Sequence, residues 1–124
     1  MLVTGFSGQE LEWIAQNGDG WLYYPRDFAF LRRTLKMWNS PLEAANQPWK
    51  PYMQLLYIDL LEEPSAAPQG IHLGFKSGYR YAVDHLKALE QEGVNYVIIN
   101  LKYGSRSAAE VIEEFGEHIL PAFT

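Results

Sequence analysis

LVTGFSGQELEWIAQNGDGWLYYPRD, residues 2–27, sets the fold class, because it strings a strand, a tight turn, a helix and a second strand together without a spacer. Leu2 to Gly5 is a short β-prone run closed by glycine. From Gly8 onward Leu11, Ile14 and Ala15 recur at helical spacing, with Trp13 on the flank. Asn17-Gly18-Asp19-Gly20 is a dense breaker cluster that ends a helix and turns the chain, and Trp21 to Tyr24 then reads as a second strand.

The same unit repeats along the rest of the chain. Asp27 is placed to cap a helix whose apolar stripe is Phe28, Leu31, Leu35 and Trp38, with Pro41 expected to stop or follow it. A proline-bearing connection, Asn46 to Pro51, leads to Tyr52–Leu61 (YMQLLYIDLL), apolar on both faces as a buried parallel strand is. The acidic, proline- and alanine-rich segment Glu62 to Gly70 and the run IHLGFKSG make a long connection, either a lid or binding loop or a surface excursion. A helix from about Tyr79 to Gln91 follows, with Ala82, Leu86 and Leu89 on one side, and Gly93 ends it. Val94 to Leu101 (VNYVIINL) reads as the clearest buried strand, and Ser107 caps a last helix through Val111, Phe115 and Ile119. The expected order is βαβαβαβα, an α/β chain with a parallel sheet and right-handed crossovers. Two architectures obey it: a small open doubly wound sheet, or half of an eight-stranded barrel, since a complete barrel takes ~250 residues.

Composition narrows the function classes. With 124 residues, about half of them apolar, one domain spanning 1–124 is expected. The net charge of −5 and the lack of a Lys/Arg-rich run speak against nucleic acid or an anionic membrane as partner. Without cysteine there is no disulfide or thiolate metal site, and His72, His85 and His118 are too scattered for a zinc motif, so no metal is expected. No apolar run reaches the ~20 residues that span a bilayer, and Met1 leads directly into strand-like sequence. A cytoplasmic location is the expectation. Most of the four tryptophans and eight tyrosines are expected in the core.

In parallel α/β folds, chemistry sits just after the strands. After the first strand come Gly5, Phe6, Ser7, Gly8 and Gln9, where glycines and free N–H groups at a helix start suit a phosphate; alternatively Ser7 only caps the helix and the glycines only turn the chain. After the second comes Arg26, an anion clamp or a surface partner of Asp27. His72, Lys76 and Arg80 lie along the long connection, suited to acid–base or anion contacts or simply solvated. After the fourth come Lys102, Tyr103, Gly104, Ser105 and Arg106, a cationic, flexible cluster at a helix head, unless Lys102 snorkels and Arg106 pairs with Glu110. Glu113, Glu114 and Glu117 read as a solvated face. No catalytic residue is assigned.

The runs LVTGFSGQELEWIAQNGDGWLYYPR, KPYMQLLYIDLLEEP, IHLGFKSGYR and GVNYVIINLKYGSRSAAEVIEEFGEHILPAF resemble, in order and spacing, the luciferase-like monooxygenases, flavin-dependent TIM-barrel oxidoreductases. The resemblance covers essentially the whole chain and implies that it corresponds to strands five to eight, a (βα)4 half of the barrel. It implies FMN, or in some members a deazaflavin, which is reduced, reacts with oxygen and oxidises a small organic substrate. The family's Gly-Ser-Ser phosphate turn maps onto Gly5-Phe6-Ser7, followed by Gly8 and Gln9. Phe6 stands where the first serine is usual, which removes one hydroxyl worth about 1 kcal/mol. Half a barrel leaves strand edges open, so a homodimer that closes the sheet, or a missing N-terminal half, is the expected partner. The rival expectations are a truncated, non-catalytic half-barrel, an FMN-phosphate-binding module that needs a partner half, or a small flavodoxin-like domain.

Overall fold

The computed structural model describes residues 1–25, 27–44, 46 and 48–123. Its strands are β1 (Leu2–Thr4), β2 (Gly20–Tyr23), β3 (Tyr52–Leu60), β4 (Gln69–Ile71), β5 (Gly74–Ser77) and β6 (Tyr96–Asn100). Its α-helices are α1 (Leu11–Asn17), α2 (Phe28–Ala44), α3 (Tyr79–Glu92) and α4 (Ala108–Glu114), the last continued by a π turn over Phe115–Ile119 and a 3-10 turn over Leu120–Phe123. The chain is a mixed α/β protein whose strands pair mostly in parallel. Its contacts gather into two compact units, Met1–Leu55 with Glu90–Ile98, and Leu56–Leu89 with Ile99–Thr124.

In the first unit β1 runs parallel to β2, and β2 parallel to the start of β3, with Trp21 opposite Tyr52. Ile14 and Ala15 of α1 and Leu31, Leu35, Trp38 and Leu42 of α2 are buried with Trp21 and Tyr52. Burial pushes the Tyr52 phenol well above its ordinary pKa, with the nearby Tyr23 adding to it. Asp27 caps α2 as its position implies, its carboxylate accepting from the Phe30 N–H at 2.8 Å. Pro41 does not end α2 but lies inside it. A proline there removes one helical hydrogen bond and costs on the order of 3 kcal/mol. Trp38 before it and Leu42 after it are both buried, and that burial carries the helix across the break. Arg32 closes this unit with two hydrogen bonds to Glu92, at 2.9 and 2.7 Å.

In the second unit the end of β3 runs parallel to β5, from Tyr57 opposite Gly74 to Leu60 opposite Ser77, and β4 is antiparallel to β5. The long connection is thus ordered and not a loose excursion. It contains a β4–β5 hairpin closed by His72 and Leu73, and the expected βαβαβαβα order gains two strands. The Glu62–Pro64 end of the connection is pinned as well, since the Gly78 N–H donates to the Ala66 carbonyl and the Arg80 N–H to that of Pro64. Ala82 and Leu89 of α3, Phe75, Val111 and Ile119 are buried in this unit. The His85 ring lies 4.8 Å from that of Phe75, and burial lowers its pKa.

β6 pairs with β3 and departs from the buried strand expected. Tyr96 and Ile98, two residues apart on one face, are 60% and 46% exposed. Apolar composition marks a strand but does not supply the layer that covers it. The aromatics divide likewise: Trp21 and Trp38 are buried, whereas Trp13 and Trp49 are exposed. Among the described residues no helix is long and apolar enough to cross a membrane.

Candidate functional site

The turn after β1 belongs to the first unit and is shaped by its backbone. Gly5, Ser7 and Gly8 all take positive φ, of 57°, 48° and 73°. Glycine adopts this region freely, and serine only under constraint. The constraint is visible: the Gly5 N–H donates to the Leu22 carbonyl at 2.8 Å, and the buried Trp21 indole N–H donates to the Gly5 carbonyl at 2.6 Å. Ser7 does not cap α1. Its hydroxyl donates back to the Thr4 carbonyl at 2.8 Å, and Glu10 occupies the cap position without a side-chain bond. The Gln9 N–H is taken by the Phe6 carbonyl at 2.8 Å. Among the described residues the N–H groups of Phe6, Ser7 and Gly8 have no protein acceptor. Successive unpaired N–H groups in a turn of this kind form an anion-binding concavity. The Phe6 side chain packs on Trp21 and Tyr23, with ring centroids 5.6 and 5.7 Å away.

The second unit gathers the later candidates into an aromatic cluster. Tyr57 of β3, His72 of the β4–β5 turn and Tyr103 after β6 approach one another, with centroids 5.1 Å apart for Tyr57–Tyr103, 6.1 Å for Tyr57–His72 and 6.3 Å for His72–Tyr103. The Lys102 ammonium lies 5.4 Å from the Tyr103 ring centroid. Exposed rings with a cation over one face suit a flat or anionic small molecule.

A buried carboxylate holds this loop in place. Asp59 Oδ1 accepts from both the N–H and the hydroxyl of Ser105, each at 3.0 Å. Arg106 donates to the Leu60 carbonyl at 3.2 Å and to Glu114 at 2.5 Å, and the Glu114 hydrogen bond raises its pKa above the ordinary value. Arg106 is therefore a strut and not a free anion clamp. Its main partner is Glu114 instead of Glu110, so Glu114, only 16% exposed, leaves the solvated face assigned to it. Asp59→Ala is expected to lower stability by about 1–2 kcal/mol, because the hydrogen bonds that the buried Asp59 carboxylate accepts from the Ser105 N–H and hydroxyl both vanish. Urea unfolding measures the loss, and faster tryptic cleavage after Lys102 reports the released loop. Asp59→Asn, which keeps an acceptor oxygen, should lose less; an Asp59→Ala chain with unchanged stability and cleavage would show that the carboxylate does not hold the loop.

Of the candidates, the structure brings His72, Lys102 and Tyr103 together, and Gly5 to Gln9 form one turn. Arg80 is engaged elsewhere, its guanidinium donating to the Ser65 hydroxyl at 3.1 Å. Arg26 lies outside the described residues. Tyr57 and Asp59 escaped the sequence reading. Their signal was a lone carboxylate and a tyrosine near the end of an otherwise apolar strand. Among the described residues no group of three or more metal-binding side chains is placed to hold an ion. The chain matches no protein-family model and no curated protein.

Proposed function

We propose that the chain is the C-terminal half of a luciferase-like, flavin-dependent oxidoreductase barrel, with the turn from Gly5 to Gln9 holding the phosphate of FMN. The observation that carries this reading is that the N–H groups of Phe6, Ser7 and Gly8, directly after a parallel strand, have no acceptor among the described residues. These residues fit a terminal phosphate, which accepts several hydrogen bonds at once, and a deazaflavin carrying the same phosphate fits them equally. When bound, the flavin supplies the redox chemistry. The chain's own contribution at the turn is to hold and orient its phosphate. The Tyr57–His72–Tyr103 cluster with Lys102 is suited to a small organic substrate with a planar or anionic group.

A second reading has its own support. Leu2 on β1 and Tyr96 and Ile98 on β6 are exposed, and among the described residues β1 pairs with β2 and β6 with β3. Apolar strands with an open edge need covering. In this reading the chain is a phosphate-binding half that acts once a companion half, from a second copy or another polypeptide, covers those strands.

Titration with FMN, followed by quenching of flavin fluorescence, tests the phosphate turn. Saturable binding is expected, with riboflavin, which lacks the phosphate, at least about tenfold weaker. Ser7→Ala should weaken FMN by about fivefold, the equivalent of about 1 kcal/mol, because it removes the hydroxyl that ties the turn to Thr4. Riboflavin binding as tightly as FMN would end the phosphate reading.

A further inference from the structure

On the first unit, α1 and α2 flank an open groove of about 950 Å³. Its lining includes the apolar Phe6, Leu11, Met37 and Pro41 and charges of opposite sign on the two helices: Glu10 and Glu12 at the head of α1, Arg33 and Lys36 on α2. Among the described residues none of these four charged side chains is ion-paired. Met37 is 53% exposed and Phe6 40%, so apolar surface is left to water between the charged sides.

We infer that this groove is the interface of a two-fold symmetric homodimer, formed through the helices and independent of the flavin reading. The charge arrangement chooses the occupant. Two copies that each carry a net charge of −5 repel one another over most of their surface. The groove is locally neutral, with two acids from the head of α1 and two bases from α2. A two-fold axis that runs along the groove, between its helices, brings the acidic residues of one copy onto the basic residues of the other twice over, as a self-complementary interface requires. A uniformly acidic or basic segment of another protein would meet repulsion from one side of the same groove. The exposed Met37 and Phe6 supply the apolar centre, and the charged rim supplies register and selectivity.

Sedimentation velocity on the full chain, without flavin, tests this. The wild-type chain is expected to be a dimer at about 50 µM. Arg33→Glu with Lys36→Glu makes both sides acidic and should give a monomer. Glu10→Lys with Glu12→Lys makes both sides basic and should do the same, and mixing the two variants should restore a dimer, now mixed. A monomeric wild type, reversed variants that still dimerise, or a mixture that stays monomeric would each overturn the proposal. The lysine variant places positive charge at the positive end of a short helix, so circular dichroism checks its fold. If it is unfolded, Met37→Glu replaces it. Folded and monomeric Met37→Glu and Arg33→Glu/Lys36→Glu chains support the interface, and a dimer from either overturns it.

Discussion

Gly74→Ala is expected to destabilise the chain by about 3 kcal/mol or more, the upper end of what overpacking a close contact costs. An alanine Cβ at this position would lie 1.7 Å from the Tyr57 carbonyl oxygen and 2.7 Å from its carbon. Both are backbone atoms of the strand that pairs with β5, so no side chain can rotate away. Relief requires pulling β5 from β3, which gives up the ladder from Tyr57–Gly74 to Leu60–Ser77. Gly78→Ala meets the Glu63 and Pro64 carbonyl oxygens at 2.2 and 2.3 Å. Those are backbone atoms of a segment held to Gly78 and Arg80 by hydrogen bonds, so its loss should also be large, though the contacts are less close than the 1.7 Å at Gly74. Gly70 on β4 has nothing within 4 Å and is the matched control, with Gly70→Ala expected within about 0.5 kcal/mol of wild type. Thermal unfolding of the three variants orders them. A Gly74→Ala chain that melts with the control would show that β5 does not lie against β3 as described.

That contact also marks where the sequence was hard to read. The βαβ character of residues 2–27, the Asp27 cap and the third strand follow from periodicity and capping, which are local and written in residue type. The β4–β5 hairpin was hidden because its signals are unusual. Ser77 is fully buried with its hydroxyl bonded to the Gly78 carbonyl, and Leu73 turns the chain at a φ of 54°, where glycine or asparagine is the usual sign. Pro41 misled in the other direction, since tertiary burial of Trp38 and Leu42 outweighs a local breaker. The candidate site was legible in part for the same reason. Glycines after a strand announce a turn, but which N–H groups remain unpaired depends on Trp21 and Leu22, sixteen and seventeen positions beyond Gly5. Likewise, nothing local says that Asp59 will fasten a loop whose Ser105 lies so far along the chain.

Trp21 carries the second large effect, because it joins the core of the first unit to the turn. Trp21→Ala is expected to cost about 4 kcal/mol, as deletion of a buried indole does. The ring is 1% exposed and lies among Phe6, Tyr23, Trp38 and Tyr52, at centroid separations between 5.0 and 5.6 Å. That variant alone cannot separate packing from positioning. Trp21→Phe can, because it keeps an aromatic ring in the cluster and deletes the N–H that bonds the Gly5 carbonyl at 2.6 Å. Its direct hydrogen-bond loss is about 1 kcal/mol, with a further term for the smaller ring. Without that bond, the hydrogen bond that remains to Gly5 among the described residues is from its N–H to Leu22, and the positive-φ turn through Ser7 and Gly8 has fewer ties against which to hold its shape. The phosphate reading then makes a sharper demand than stability does. Trp21→Phe should stay folded by circular dichroism while FMN binding weakens by about fivefold or more, and riboflavin binding should change little. An equal fall for both ligands would place the indole's effect in the core instead of the turn.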